Sequence, residues 1–405
     1  MAEISWLRGT SSAFRLMIAT SWLAPDSWRQ RQEETIREAI AAGPDWDEYL
    51  RLAAHHRTTA LSWSALKRVP GLEIPESARQ QLQERSDAWQ SHAARLSLRL
   101  VRVLKGFARA GIPVMPFKGP TLSFEVYRDE RLRQYRDLDL AVTPEDLPRS
   151  QACLEKMGWH LKSTWFPLTT RQWESFLRHE HHLNFVHRHG PTELELHWRN
   201  TWDSTDSTNA RWARSIPSVW QRCSHRAMNP IDQVLYLCSH GGKHAWYRAY
   251  WLGDLARIHA EGRVDWQQAF EQAQSTGQQR PLLAGLRLLK ELYRLSLPDL
   301  PGDPWKNLPS FLIRSPLRAL KSAKEPVAES RSLRDPFHER IRMTRYNWLV
   351  QPSRGWGEIL SDIVYDRRNF KVLSLPDRLF WAYAPLYPIL CAWRRARRGS
   401  RNGTS

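Results

Sequence analysis

The sequence is poor in cysteine, and its cysteines form no motif. Four occur in the whole chain, far apart and without CxxC spacing, at Cys153, Cys223, Cys238 and Cys391. This pattern argues against a disulfide framework and against a zinc knuckle, and it fits a reducing compartment.

Long apolar runs are also missing. No stretch reaches the roughly 18 uninterrupted apolar residues that predict a transmembrane helix. The apolar stretch 13–24 is interrupted by Arg15 and has no small-residue cleavage site after it, so it does not predict a signal peptide. The tryptophans recur without a fixed period, so no repeat array is expected. We therefore expect a cytoplasmic protein.

Positive charge and tryptophan are in excess. In 405 residues the formal net charge is +18, and the 21 tryptophans outnumber the tyrosines and the phenylalanines. A positive field attracts nucleotides, nucleic acid or an acidic membrane surface, whereas tryptophans mostly pack in cores and interfaces. The length predicts two or three domains.

Residue patterns predict an α+β fold with a mixed α and β core. The expected regions are an N-terminal helical region (1–94), an α/β core (95–202), a helical domain packing on that core (203–297), and a linker with a C-terminal helical, aromatic and basic segment (298–405). Helices are predicted at 80–109, 231–246, 251–259, 266–275 and 282–295.

The predicted core contains short strands and one hairpin. Strands are expected at 112–117, where two prolines favour a sheet edge, and at 138–142. Segments 181–188 and 192–199 alternate in polarity and predict an antiparallel hairpin. The run 143–146, Thr-Pro-Glu-Asp, is typical of a helix start, so we expect a helix from there to Met157.

The central motif is the acidic pair in the second strand. Asp137 and Asp139 lie two residues apart, so their side chains share one face while Leu138 and Leu140 point into the core. Two neighbouring carboxylates repel each other unless a hard cation lies between them, and magnesium is usually held by carboxylates and substrate phosphates. The pair therefore indicates a magnesium site.

Two further pieces complete a candidate phosphoryl-transfer site. Lys118 and Gly119 end the first strand before a predicted helix start, where glycine allows backbone amides to approach a phosphate and lysine adds charge. Glu195 shares a strand face with Glu193 and His197. As a third carboxylate, it could complete the metal site or accept a proton from an attacking hydroxyl.

These motifs together resemble the uncharacterised bacterial nucleotidyltransferase family of the DNA polymerase β-like superfamily. The resemblance covers roughly residues 95–260, and its residues are Lys118-Gly119, Arg133, Asp137-Leu138-Asp139-Leu140, Glu195-Leu196-His197-Trp198, 240–246 and 251–255. It implies a small mixed sheet flanked by helices, and transfer of a nucleoside monophosphate from an NTP with Mg²⁺ or Mn²⁺. On that resemblance Asp137 and Asp139 match the metal-binding pair and Glu195 the third acid.

The resemblance also shows departures and leaves the acceptor open. Lys118-Gly119-Pro120 stands where the superfamily has a Gly-Gly or Gly-Ser turn, so Lys118 would compensate in the triphosphate grip. The third acid is glutamate, which has a longer side chain than the aspartate common elsewhere. A small molecule, a peptide or a protein could each be the acceptor.

Several basic residues carry alternative interpretations. Lys243 and His244 are predicted to contact phosphate or base, although the 240–246 segment could equally be a helix-packing motif. His240 and His244 share a helix face, but Gly241 replaces the glutamate of HExxH, so zinc is not favoured. Arg133 could meet a phosphate, form a salt bridge at the site, or be a loop cation. Surface or sheet-edge positions are expected for the histidines at His179, His181, His182, His187 and His189.

The C-terminal segment indicates docking on the protein's own helices or peripheral membrane contact. Residues 379–393 are apolar and aromatic, and four arginines follow directly. Pro385 and Pro388 argue against one continuous helix. The leading hypothesis is a magnesium-dependent nucleotidyltransferase. The alternatives are a non-catalytic nucleotide- or nucleic-acid-binding protein on the same fold, with nucleic acid not favoured, and a membrane-associated accessory protein.

Overall fold

The fold is α+β, as the sequence predicts. The structure is a computed structural model, and it describes residues 9–162, 167–199, 205–322, 337–350, 361, 364–365 and 367–399. Helices dominate these residues, and the strands form a mixed five-stranded sheet and a separate two-stranded sheet.

The elements follow one another along the chain in three groups. The N-terminal helices are α1 (Ser12–Thr20), α2 (Asp26–Ala41), α3 (Trp46–His55), α4 (Thr59–Lys67) and α5 (Glu76–Arg109). The strand-containing part comprises β1 (Met115–Pro116), α6 (Gly119–Tyr127), β2 (Asp137–Ala141), α7 (Leu147–Lys156), β3 (Trp159–Leu161), α8 (Thr170–His179), β4 (His182–His187), β5 (Glu193–His197), α9 (Thr205–Arg214), β6 (Ile216–Trp220) and β7 (Cys223–Ala227). The C-terminal helices are α10 (Pro230–Lys243), α11 (Ala249–Glu261), α12 (Trp266–Ser275), α13 (Gln279–Tyr293), α14 (Phe311–Ser322), α15 (Phe337–Val350), α16 (Arg367–Val372) and α17 (Tyr383–Gly399).

The larger sheet has the strand order β1-β2-β5-β4-β3. Its two-residue strand β1 is at an edge, as the prolines of that segment predict. β4 pairs antiparallel with β3 and with β5, and its pairing with β5 confirms the predicted hairpin.

The second sheet, β6 and β7, was not expected, because the sequence after Trp202 was interpreted as helical. These strands form a tight hairpin in which Trp220 pairs with Cys223. The two loop residues, Gln221 and Arg222, have φ values of 48° and 58°. Such a turn usually contains asparagine or glycine, so this hairpin lacks the residues that normally reveal it.

The chain forms two compact units. The first comprises Met1–Lys105, Met115–Leu138 and Arg214–Pro352. The second comprises Gly106–Val114, Asp139–Ala213 and Ser353–Ser405. Within the second unit large aromatic side chains, among them Trp159, Phe176 and Phe185, are buried around β3, β4 and β5.

The long helix α5 ends where its sequence predicts. Leu96, Leu100 and Val103 recur at helical spacing and are buried. Gly111 then adopts a φ of +62°, and the amide of Ile112 donates to the carbonyl of Phe107. A left-handed residue that closes the last turn in this way is a common helix end.

The predicted start of α7 is wrong by one turn. Pro144, Glu145 and Asp146 form a turn, and the helix begins at Leu147 with Pro148 in its first turn. Proline is favoured in that turn because its missing amide would have no helical partner there. Pro148 therefore stands at the start of the helix.

Residues 379–393 are not one α-helix, because a 3₁₀ helix (Asp377–Ala382) precedes α17, but the expected break at the prolines is wrong, since α17 is continuous from Tyr383 to Gly399. Pro385 lies in its first turn, where amides have no helical acceptor, so only Pro388 removes an internal hydrogen bond. Among the helices that the structure describes, none combines the length and the apolar character of a membrane span.

Candidate active site

Strands β4 and β5 present polar side chains on one face. The register pairs His182 with His197 and Asn184 with Glu195. Because side chains alternate along a strand, these four lie on the same side of the sheet. The intervening residues, such as Leu196, are buried on the opposite face.

One imidazole connects two of the predicted acids. His197 Nε2 lies 3.1 Å from Glu195 Oε2 and 3.4 Å from Asp139 Oδ1. The side chains of Asp139 and His197 are buried, whereas Glu195 is 25% exposed. The structure therefore brings Asp139 and Glu195 together in the second unit, with His197 between them.

The ionisation of this group follows from its contacts. Burial works to lower the pKa of His197, but the hydrogen bonds to Asp139 and Glu195 outweigh burial and raise it. Burial works to raise the pKa of Glu195, but the hydrogen bond from His197 and the charges of His197 and His182 lower it. The imidazole thus compensates the negative charge that two close carboxylates would otherwise carry into a buried position.

A second histidine extends the group. His182 Nε2 lies 3.9 Å from Glu195 Oε1. Among the described residues, His182, Glu195 and His197 form a set whose possible ligand atoms all lie within 4.8 Å of one another. The expected surface or sheet-edge position is therefore wrong for His182, which lies on an interior strand. Sequence reasoning assigned no role at the site to either histidine, although His197 shares a face with Glu195 two residues away.

The loop before α6 belongs to the first unit. Gly119 has a φ of +63°, and a Cβ built there would lie 3.6 Å from the carbonyl oxygen of Asp137. Lys118 occupies the N-cap position of α6, and Pro120 follows in the first turn. The start of α6 thus lies beside the backbone of Asp137, and glycine allows this backbone conformation without strain.

A cluster of basic side chains lies in the same unit. Burial lowers the pKa of His240 well below its usual value, and the charges of Lys118, His244 and Lys243 lower it further. Lys118 Nζ lies 5.7 Å from the ring centre of Tyr236, on which His240 stacks. Lys118, Lys243 and His244 therefore lie near one half-buried imidazole whose pKa is lowered, and together they form a cationic cluster.

The glycine pair beside these residues has a packing role. A Cβ on Gly241 would lie 2.4 Å from the ring of Trp246, and one on Gly242 would lie 3.4 Å from Pro281. Both glycines therefore allow close packing, as the helix-packing interpretation of this segment predicts. That role does not conflict with a ligand contact by the neighbouring Lys243.

The interpretation of Arg133 as a phosphate ligand has to be corrected. Arg133 Nε donates to Asp254 Oδ2 at 2.7 Å, and both side chains are buried. Tyr127 Oη donates to the other oxygen of Asp254 at 3.1 Å, and Tyr250 lies under the guanidinium. Arg133 thus forms a salt bridge as one alternative predicted, but its partner is a helical aspartate in the protein interior.

The predicted site residues fall into two groups. Asp139 and Glu195 lie in the second unit, whereas Asp137, Lys118, Gly119, Lys243 and His244 lie in the first. The strand β2 carries both aspartates, and their two-residue spacing places them on one strand face. Acids on a small mixed sheet and a cationic cluster near a helix start are features suited to phosphoryl transfer.

The comparison with protein families agrees with this class. The model of a family described as "Uncharacterised nucleotidyltransferase" matches residues 42–294. Because this is more than half of the chain, the protein belongs to that family, and a general role in nucleotidyl transfer follows. The chain matches none of the curated proteins. Nucleotidyltransferases generally use divalent metals, and the carboxylate and imidazole groups at the site are metal ligands by type.

Proposed function

We propose that this protein transfers a nucleoside monophosphate from an NTP to a hydroxyl acceptor in a reaction that depends on Mg²⁺ or Mn²⁺. The observation that supports the proposal most is the meeting of Asp139 and Glu195 around His197. Buried Asp139 and half-buried Glu195 gather negative charge at one place, and a divalent ion can supply positive charge there during phosphoryl transfer.

In this proposal the three acids have different roles. Asp137 and Asp139 hold the metal, and Glu195 either completes the metal site or takes the proton of the acceptor hydroxyl. The hydroxyl oxygen forms a bond to the α-phosphorus, the bond to the bridging oxygen breaks, and pyrophosphate leaves with that electron pair. A bound divalent ion supplies charge stabilisation for the phosphate oxygens.

The cationic cluster serves the phosphates of the NTP. Lys118, Lys243 and His244 offer donors and positive charge, and Gly119 opens the start of α6 to an anion. Because Pro120 has no backbone amide, the helix start has one donor fewer than usual. We therefore assign Lys118 the larger share of the triphosphate contact and leave out Arg133, whose guanidinium is buried against Asp254.

The acceptor could be a small molecule, a peptide or a protein. The net charge of +18 favours one further candidate function, the binding of nucleotide or nucleic acid without catalysis. Such a protein would bind NTP but release no pyrophosphate, and its affinity for nucleic acid would fall steeply with salt.

The test is a panel of α-labelled NTPs with Mg²⁺ and cell extract, in which label transfer and pyrophosphate are both measured. We expect the double variant Asp137→Asn/Asp139→Asn to lose about a hundredfold or more of the transfer rate. The control is Glu193→Gln, which removes an exposed carboxylate from the same strand face as Glu195. Equal transfer by the wild type and the double variant would reject the site, and NTP binding without transfer would favour the non-catalytic function.

A further inference from the structure

The donor set around Glu195 is not purely oxygen. Its atoms are His182 Nε2, His197 Nε2 and the two oxygens of Glu195. His182 Nε2 lies 3.9 Å from one carboxylate oxygen, and His197 Nε2 lies 3.1 Å from the other. Two ligands that bind one ion at about 2.1 Å lie at most about 4.2 Å apart. Both separations lie within that limit. The whole set spans up to 4.8 Å, so the two imidazoles would have to approach each other by a few tenths of an ångström to bind one ion.

The chemistry of these donors selects a class of ion. Magnesium prefers oxygen ligands and keeps several waters, whereas imidazole suits transition metals such as zinc and iron. Two histidines with one glutamate form a known ligand set for catalytic zinc and leave positions open for water or substrate. As ligands the imidazoles therefore favour a transition-metal ion over Mg²⁺.

We infer that His182, Glu195 and His197 form a binding site for a divalent transition-metal ion, distinct in ligand type from the oxygen site of Asp137 and Asp139. The inference deepens the proposed function and rests on it where Glu195 is concerned, because that carboxylate belongs to both ligand sets. When the ion binds, the hydrogen that His197 Nε2 shares with the acids leaves to solvent, and the nitrogen lone pair coordinates.

The fold supports such a site. His182 and His197 are cross-strand partners, and Glu195 is two residues from His197, so regular strand geometry fixes all three. The side chains of His182 and Glu195 are 19% and 25% exposed, which leaves access for an ion, while His197 is 8% exposed. Asp139, 3.4 Å from His197 Nε2, adds negative charge beside the set.

The experiment is a titration of the full-length protein with Co²⁺, without nucleotide, followed by visible absorption. We expect one bound Co²⁺, displaced by Zn²⁺ but not by excess Mg²⁺. His182→Ala and His197→Ala should each weaken Co²⁺ binding by about tenfold or more. His187→Ala is the control, because His187 lies on the same strand but on the opposite face.

Two further variants keep the result interpretable. His182→Asn retains a polar side chain if the alanine variant does not fold, and Asp137→Asn should lose nucleotidyl transfer while it keeps the Co²⁺ absorption. The inference would be overturned if the wild type bound no Co²⁺, or if the His182 and His197 variants bound Co²⁺ as tightly as the wild type. It would also be overturned if Mg²⁺ displaced Co²⁺ as readily as Zn²⁺ does. Lost transfer with intact Co²⁺ binding would count only against the proposed function.

A separate surface carries a second inference. In the second unit, α17 and the 3₁₀ helix before it expose three large apolar side chains: Trp381 at 62%, Ile389 at 62% and Trp393 at 50%. The other side of this segment is held by Tyr383 and Leu390, which are buried in a cluster with Phe370. Large apolar side chains that stay this exposed are typical of surfaces that bind a partner or a membrane.

The sequence beside this surface is strongly basic. Arg394, Arg395, Arg397 and Arg398 follow Trp393 directly. An apolar face with a cluster of arginines is the combination that holds helices at anionic membrane interfaces, where tryptophan is especially favoured. We infer that this C-terminal surface binds anionic lipid.

The test is co-sedimentation of the full chain with phosphatidylcholine vesicles, with and without phosphatidylglycerol. We expect binding only to the anionic vesicles, weaker at high salt, and lost in Trp381→Ser/Ile389→Ser/Trp393→Ser. Trp348→Ser is the control, because that tryptophan is 54% exposed on α15, in the first unit. If the wild type did not bind the vesicles, the lipid assignment would be rejected in favour of a protein partner. If the triple variant bound them as well as the wild type, the surface would be rejected as the binding site.

Discussion

The ion pair between Arg133 and Asp254 gives a prediction whose size can be worked out. The two charges are 2.7 Å apart, and their side chains are 3% and 0% exposed. Burial opposes the charge of Arg133, but the carboxylate of Asp254 outweighs it and raises the pKa of the guanidinium. The variant Asp254→Asn keeps the shape of the side chain and removes its charge, so Arg133 would remain charged in a dry environment.

The expected loss is a large part of the stability of an ordinary protein. At 2.7 Å and an effective dielectric constant of about 20, the Coulomb attraction is about 6 kcal/mol. The asparagine side chain can still accept a hydrogen bond from Arg133, and that bond recovers part of the lost attraction. We therefore expect Asp254→Asn to lower the free energy of unfolding by about 3–5 kcal/mol. The apolar double variant Arg133→Met/Asp254→Leu should lose less than the single variant, because it leaves no buried charge behind.

Urea unfolding of the wild type and the two variants measures these free energies. A change of less than about 1 kcal/mol for Asp254→Asn would refute the buried pairing. The double variant also tests the discarded phosphate role of Arg133. If it folds and binds NTP like the wild type, Arg133 is structural, whereas a specific loss of NTP binding would restore the phosphate role.

Three further predictions concern single side chains. Burial is the largest effect on His56 and lowers its pKa from 6.5 to about 3, so its neutral form should stabilise the fold fully above pH 6.5 and less as the pH falls towards 3. In thermal melts at several pH values, His56→Asn should remove this loss of stability, which amounts to up to about 5 kcal/mol. Burial raises the pKa of half-buried Glu125 to about 7, so the protonated side chain stabilises the fold and this effect is lost as the pH rises through 7. Glu125→Gln should therefore raise the melting temperature at pH 8, by an amount that corresponds to about 1–3 kcal/mol, but not at pH 4. Glu195→Gln should reduce the rate of nucleotidyl transfer at least about tenfold, whereas Glu193→Gln should leave the rate unchanged, and a reversed order would contradict the assignment of the third acid.

The sequence predicted the elements better than their register. The hairpin loop was predicted at 189–191, and a three-residue loop would pair Arg188 with Thr192. In the structure the backbone amide of His187 donates to the carbonyl of Thr192 instead, and this register places His182 opposite His197. Shifting the pairing by one residue would put a leucine opposite His197, so the histidine pair could not be found without knowing the register.

Other differences have equally local causes. Helices α10 to α13 agree with their apolar periodicity, because tertiary packing and local pattern favour the same structure there. The hairpin of β6 and β7 could not be recognised, since Gln221 and Arg222 carry its left-handed turn. The partner of Arg133 was equally hidden, because Asp254 lies 121 residues later on α11. Because Arg133 lies four residues before Asp137, its position in the sequence suggested a site residue. In the folded protein Arg133 is instead part of the interior.

The donor atoms of the site depend on the same alternation that builds the sheet. Asp137 and Asp139 on β2, and Glu195 and His197 on β5, are each two residues apart. The residues between and beside them are buried leucines: Leu138, Leu140, Leu194 and Leu196. A slip of one residue in either strand would bury the acids in the hydrophobic core, where an unpaired charge costs several kcal/mol, and would expose the leucines. The energy that fixes the register is therefore mainly hydrophobic, and it holds the carboxylates and the imidazole in position before any ligand binds.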